Sequence, residues 1–257
     1  MQKPKIAAQL YTIRDFTKTP DDLDRSMKRI KEIGYKAVQV SGIGPMEHQQ
    51  VKDIMDSHGL TICATHVSFA SMQENLDDVI KQHKIWDCKY VGVGSMPGEY
   101  QSGKEGYQAF AKEASEIGRR LADNGLQFIY HNHHFEFMKF DGILGMDILL
   151  NESDPETFGF EIDTYWVQAG GANPVDWINK VGDRMQVIHY KDMAISKDVN
   201  QIMAEVGEGN LNWPDIIDAS IKNKIEWAAV EQDICQRDPF ESLEISFRNL
   251  QRFGLDA

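Results

Sequence analysis

Residues 130–136 read Tyr-His-Asn-His-His-Phe-Glu, which sets three imidazoles and a carboxylate within one short stretch. An apolar lead of Leu126, Phe128, Ile129 and Tyr130 runs straight into them, so the polar group stands at the far end of a buried strand. Imidazole and carboxylate side chains bind divalent cations and move protons. Asp163, His189 and Glu231 are placed in the same way, each closing an apolar run. Their mixed oxygen and nitrogen donors suit a divalent Mn, Mg, Co, Fe or Zn ion. A fourth ligand is expected from the 131–136 stretch. Strand position and side-chain parity nominate His131, while charge nominates Glu136. Five extended residues span roughly 16–18 Å, so both reach one ion only if the chain folds sharply after His133.

Side chains on a strand alternate between faces, so Glu161 shares a face with Asp163, His131 with His133, and His189 with Lys191. Gln9, Tyr11, His66, Trp166 and Lys191 complete the polar and aromatic set at strand ends and are the candidate substrate contacts. Lys191 can hold a substrate oxygen or balance the carboxylates. Trp166 suits an aromatic wall for a sugar ring as well as it suits packing. A lone acid such as Asp163 is ordinarily a helix cap, but nothing structural requires Asp, His and Glu at three consecutive strand ends. Glu161, one layer deeper, reads as a buried carboxylate paired with a neighbour such as Lys191. His48, His58 and His83 fall on helices or loops and are expected in solvent. Trp86, Trp177 and Trp227 read as packing residues.

The elements that must position these groups alternate between short β-rich runs and longer helical periods. Strands are predicted at Ile6–Thr12, Ala37–Ser41, Leu60–Val67, Tyr90–Ser95, Leu126–His133, Phe158–Tyr165, Met185–Tyr190 and Ile225–Asp233. Helices are predicted at 21–33, 46–57, 73–86, 104–123, 143–150, 173–181, 213–222 and 239–252. Thr19-Pro20, Asn173-Pro174, Asn212-Trp213-Pro214 and Asp238-Pro239 are helix-start signals. Gly34, Gly59 and Gly125 stand where left-handed C-terminal caps belong. No linker or low-complexity segment divides the chain, so residues 1–257 read as one domain. Eight strand–helix units in about 250 residues match an α/β fold of the (β/α)8 TIM barrel type, whose active site lies at the C-terminal strand ends. A doubly wound open sheet is the alternative, but the first strand ends in Gln9-Leu10-Tyr11-Thr12-Ile13-Arg14-Asp15 rather than a glycine fingerprint.

Composition bounds the partners. The formal charge of −13 disfavours nucleic acid, which needs clustered Lys and Arg. Cys63, Cys88 and Cys235 are odd in number and far apart, so neither a disulfide framework nor a thiolate metal site is expected. No apolar run approaches the ~20 residues of a membrane span, and Met1-Gln2-Lys3-Pro4-Lys5 holds no apolar signal core. The expectation is therefore a cytoplasmic protein with a small neutral substrate, and with no nucleic-acid or membrane partner. A dimer or tetramer is a reasonable expectation for a barrel of this size. Gly207-Glu208-Gly209 is the one stretch that could cradle a phosphate, so phosphorylated substrates are not favoured.

Six motifs together resemble the xylose isomerase-like sugar phosphate isomerase/epimerase family, with inosose dehydratase, tagatose/psicose 3-epimerase and, more distantly, endonuclease IV as relatives. They are Gln9-Leu10-Tyr11-Thr12-x-Arg14-Asp15, Tyr130-His131-Asn132-His133-x-x-Glu136-Phe137, Glu161-x-Asp163-Thr164-Tyr165-Trp166, His189-x-Lys191-Asp192, Gly207-x-Gly209 with Asn212-Trp213, and Val230-Glu231-Gln232-Asp233. The resemblance covers essentially the whole chain. It implies a metal-dependent barrel with a Glu, Asp, His, Glu ligand set on strands five to eight. Asp163, His189 and Glu231 match; the strand-five position carries His131 in place of Glu. In the epimerases two metal-linked glutamates exchange a proton with a carbon next to a carbonyl, a pair that would here be Glu136 and Glu231, with His133 as a further acid/base. A divalent ion stabilises the enediolate as a Lewis acid. Returning the proton isomerises or epimerises the substrate; losing hydroxide dehydrates it. The resemblance thus implies a small carbohydrate or polyol substrate, with isomerase/epimerase chemistry on a sugar, keto-sugar or polyol as the leading expectation and inosose or keto-sugar dehydration as the alternative. An endonuclease IV-type hydrolase is opposed by the net acidity, and a non-catalytic sugar-binding barrel by intact Asp163, His189 and Glu231.

Overall fold

The computed structural model describes residues 3–256. Eight parallel strands form its centre: β1 Lys5–Gln9, β2 Ala37–Val40, β3 Thr61–His66, β4 Tyr90–Val93, β5 Gln127–His131, β6 Phe158–Glu161, β7 Val187–Tyr190 and β8 Trp227–Val230. They pair in the order β6-β5-β4-β3-β2-β1-β8-β7. The remaining gap closes just beyond β6, where Asp163 bridges His189 in parallel and the His189 N–H donates to Ile162 O at 2.8 Å. The sheet is thus a (β/α)8 barrel as expected, and its closing seam runs through two of the candidate ligands.

Ala7, Ala37, Ile129, Val187 and Ala229 belong to one buried apolar cluster separate from the main core. Each precedes Gln9, Gln39, His131, His189 or Glu231 by two residues. Because strand side chains repeat every second position, the barrel interior carries a small apolar plug with the polar layer directly above it. The alternate residues, Ile6, Val38, Phe128, Ile188 and Val230 among them, face the helices and form the main core.

Helices follow the strands: α1 Pro20–Ile33, α2 His48–Ser57, α3 Phe69–Glu74, α4 Leu76–Trp86, α5 Lys104–Ala122, α6 Gly145–Glu152, α7 Thr164–Ala169, α8 Pro174–Val181, α9 Trp213–Lys222 and α10 Pro239–Arg252. The start signals act as caps: Thr19, Asn173, Asn212 and Asp238 side chains accept backbone N–H groups of α1, α8, α9 and α10. Gly59 and Gly125 take φ of 60° and 72° after α2 and α5, where a side chain would be strained.

Local hydrogen bonds shift several predicted boundaries. The first strand stops at Gln9, because its side-chain oxygen accepts the Tyr11 N–H at 3.1 Å and starts a 3-10 helix over Leu10–Phe16. The sixth strand stops at Glu161, because the Asp163 carboxylate accepts the Trp166 N–H at 3.0 Å and caps α7. The helix predicted at 73–86 is two, broken at Asn75 with φ −137°. The helix predicted at 143–150 begins at Gly145, after a short hairpin pairing Lys139–Phe140 with Ile143–Leu144.

A second antiparallel hairpin, Asp192–Ile195 with Gln201–Ala204, stands between β7 and α9. Asp192 anchors it by accepting N–H groups from Met193, Gly207, Gly209, Leu211 and the Trp213 indole, at 2.5–3.2 Å. Among the described residues no helix is long and apolar enough to cross a membrane.

Candidate functional site

His131 closes β5, Asp163 follows β6, His189 lies in β7 and Glu231 follows β8. All four are buried, and one ligand atom from each lies within 4.8 Å of the others. His131 Nε2 is 3.2 Å from Asp163 Oδ2; His189 Nδ1 is 3.2 Å from Glu231 Oε2 and 3.7 Å from Asp163 Oδ2. The Lys191 ammonium reaches Asp163 Oδ2 at 3.4 Å and Glu231 Oε2 at 3.1 Å, and pairs closely with Asp233.

Burial alone would raise the Asp163 and Glu231 carboxyls, but Lys191 and the histidines overcome it and hold both well below the usual carboxylate range. Burial likewise opposes the Lys191 charge, and Asp163, Glu231 and Asp233 together outweigh it and raise that group. Asp163, Glu231 and Asp233 therefore surround a single ammonium. Two imidazoles and two carboxylates in an acid-rich, water-poor site form a donor set that fits a divalent cation.

Glu136 is not part of this set, contrary to its nomination as a ligand. The chain does turn sharply after His133, through a 3-10 turn at Phe135–Phe137. The turn carries the carboxylate to the helix-facing side of β5, where Tyr130 Oη donates to it at 2.5 Å and the His133 N–H donates to it at 2.9 Å. It is completely buried, and burial raises its carboxyl to about 7. His131 occupies the strand-five position of the cluster.

His133 packs its ring 5.0 Å from His131 and 5.1 Å from Trp166, and its buried Nδ1 has no partner. Burial, with His131 second, lowers its pKa to about 3. Trp166 stacks on His134 at 5.0 Å, faces the Lys191 ammonium at 5.0 Å, and has a buried, unpartnered indole N–H. Gln9, with its oxygen given to Tyr11, leaves its amide nitrogen without an acceptor. Tyr11 is half-buried and lies beneath the Arg14 guanidinium rather than among the ligands. His66 stacks on His189 at 5.3 Å, and its Nε2 lies 2.5 Å from Glu161.

The pairing of Glu161 with Lys191 does not occur; Glu161 is held by His66, Gln39 and His189. His83 is also not in solvent. It is buried between Thr65 Oγ1 and Val79 O, both 2.7 Å away, because α4 packs back against β3. The Gly207 and Gly209 N–H groups hold the Asp192 carboxylate, so the glycine pair already cradles an anion of its own chain. Sequence reading missed Gln39, whose amide lies 2.9 Å from both Glu161 and His189. Its signal was present: a polar residue inside Ala-Val-Gln-Val, in register with Gln9.

The family model for the xylose isomerase-like TIM barrel matches residues 27–233. An inosose dehydratase of Clostridium beijerinckii is 26% identical over 85% of this chain and 85% of its own length. An inosose dehydratase of Geobacillus kaustophilus is 21% identical over 66% of this chain, and the match spans 62% of that relative. A sugar phosphate isomerase/epimerase of Parabacteroides distasonis shares the fold with a TM-score of 0.81, at 22% identity over 98% of this chain and 94% of that one.

Proposed function

The chain belongs to the xylose isomerase-like TIM barrel family, and we propose that it is a metal-dependent enzyme that dehydrates a keto-sugar or keto-polyol by proton transfer next to the carbonyl. His131, Asp163, His189 and Glu231 would hold the ion, one of Mn, Mg, Co, Fe or Zn. When bound, a divalent ion supplies Lewis-acid stabilisation to an oxygen next to the reacting carbon.

The observation that carries this reading is the inventory of groups able to exchange protons at the cluster. Two-carboxylate epimerisation needs Glu136 beside Glu231, and both Glu136 oxygens are already engaged on the other side of β5. Among the described residues, the one buried unpartnered imidazole, His133, adjoins the cluster instead. A neutral imidazole accepts the proton from the carbon next to the carbonyl. The same nitrogen then delivers it to the hydroxyl on the neighbouring carbon as that C–O bond breaks, leaving a carbon–carbon double bond and water. Removal and return on one face require one group; inversion at carbon requires two.

Among the buried side chains of the described residues, Gln9 and Trp166 carry N–H groups without acceptors, and these suit substrate hydroxyl oxygens. The indole face suits the C–H face of a sugar or cyclitol ring. Lys191 keeps Asp163 and Glu231 charged and oriented rather than meeting substrate. The names of the two sequence relatives agree with dehydration, and that of the solved structure with its epimerase counterpart.

The test is to supply the purified protein, with each divalent ion in turn, a panel of keto-inositols and keto-sugars in deuterated water, and to follow the products by proton NMR. Dehydration gives a product lighter by one water. A stereoisomer carrying deuterium would instead establish epimerisation, and no turnover of any member with any ion would sink the reading.

A further inference from the structure

Gln39 is completely buried in the barrel mouth, on a strand that contributes no ligand. Its amide nitrogen is 2.9 Å from Glu161 Oε1, and its carbonyl oxygen is 2.9 Å from His189 Nε2. We propose that Gln39 is a positioning residue: held by Glu161, it fixes the tautomer of His189 and so turns the Nδ1 lone pair toward Asp163 and Glu231. The inference rests on the reading that His131, Asp163, His189 and Glu231 hold an ion.

The argument follows from donor and acceptor capacity. An ionised carboxylate only accepts, so the amide nitrogen of Gln39 must be the end that faces Glu161. Its oxygen then faces His189, and an amide oxygen also only accepts, so His189 Nε2 must carry the hydrogen. Glu161 Oε1, 3.3 Å from the same nitrogen, makes the same demand. Nδ1 is then the nitrogen that faces the ligand carboxylates, 3.2 Å from Glu231 and 3.7 Å from Asp163; a hydrogen there serves them in the metal-free chain, and a bound ion would take its place. The other oxygen of Glu161 is taken by His66 Nε2 at 2.5 Å, so the carboxylate is pinned at both ends. An outer partner that holds a ligating histidine in one tautomer raises metal affinity by limiting the ring to its productive state.

His66, Glu161 and His189 also lie close enough to suggest a second cation site. That site would need the His189 Nε2 lone pair, while the first needs Nδ1. One neutral imidazole cannot offer both. The inference therefore requires one ion per chain.

The experiment uses the full chain in three forms: wild type, Gln39→Leu and Gln39→Glu. Zinc and manganese affinities are measured by calorimetric titration. The His189 ring nitrogens are observed by ¹⁵N NMR, without metal at alkaline pH and again with zinc. Expected are one ion per wild-type chain and a hydrogen on Nε2 in both states, with Nδ1 giving up its own when zinc is present. Gln39→Leu should lose roughly 10–100-fold in affinity and show mixed tautomers, while Gln39→Glu, which keeps an oxygen facing His189, should recover most of that affinity once the two facing carboxyls share a proton.

Wild-type affinity with an unchanged tautomer in Gln39→Leu would overturn the inference, as would two ions per wild-type chain. If Gln39→Leu does not fold, Glu161→Gln replaces it: freeing the Gln39 amide to reverse should produce the same mixed tautomers, and an unchanged tautomer there counts against the inference. A wild-type chain that binds no divalent ion defeats the metal reading, and the metal-free tautomer measurement still decides the part of Gln39.

Discussion

Strands β5 to β8 bring His131, Asp163, His189 and, just beyond, Lys191 and Glu231 to the barrel mouth, whereas β1 to β3 bring Gln9, Gln39 and His66. Beside the charged half, β4 and the residue after it contribute Gly92 and Gly94, where an added Cβ would stand 2.8 Å from the His66 ring. One half is built to concentrate charge; the other supplies neutral amides and the room for an imidazole. Charge without such support would leave each ligand free to rotate or reprotonate, so the neutral half does its work through orientation. Two buried histidines make the same contrast. His189, ringed by Glu161, Glu231 and Asp163, has its pKa raised against the pull of burial. His83, whose ring nitrogens meet the uncharged Thr65 and Val79, has its pKa lowered by burial to about 4.

The contrast can be broken most decisively at Glu231. Glu231→Gln is expected to lose stoichiometric metal by elemental analysis together with all measurable turnover; retained metal and normal rates would remove the charged half from the site. Next in size is His133→Asn, expected to slow turnover by roughly 10²–10⁴-fold through loss of the proton carrier. Its metal content should match the wild type, and a loss of metal would make His133 a ligand instead.

The neutral environment of His83 predicts a pH effect on folding. Its folded pKa of about 4 lies below the ordinary 6.5, so the unfolded chain binds the extra proton between these values. Stability is then full above pH 6.5 and falls by roughly 3 kcal/mol as pH drops toward 4. Urea unfolding of His83→Gln should show a flatter profile over that window, and equal slopes would refute the assignment. The smallest effect is expected at Glu136→Gln, which should keep its metal and lose about 1–2 kcal/mol of stability from the altered bonds to Tyr130 and His133. Metal loss in that variant would return Glu136 to the ligand set.

Periodicity exposed the eight strand–helix units because a strand buried on both faces and an amphipathic helix have different hydrophobic repeats. The parity that paired His131 with His133 and His189 with Lys191 is equally local. The hairpin at Asp192–Ala204 escaped notice because its anchor is a set of bonds from Gly207, Gly209, Leu211 and Trp213, which no short window contains. The burial of His83 escaped for the same kind of reason, since its partner Thr65 lies on another element.

By itself the sequence determined the barrel, the order of its elements, the caps of its helices and the candidacy of Asp163, His189 and Glu231, all of which depend on repeat period and residue type. The choice between His131 and Glu136 was left to the tertiary structure. Both lie within reach of the mouth along the chain, and only the packed turn at Phe135–Phe137, with Tyr130 waiting on the far face of β5, sends the carboxylate away. The same holds for Gln39, whose partners Glu161 and His189 are 122 and 150 residues distant. A hydrogen bond between residues so far apart exists only after the sheet has closed, because the curvature of the barrel, rather than any local preference, brings side chains from opposite strands within 3 Å.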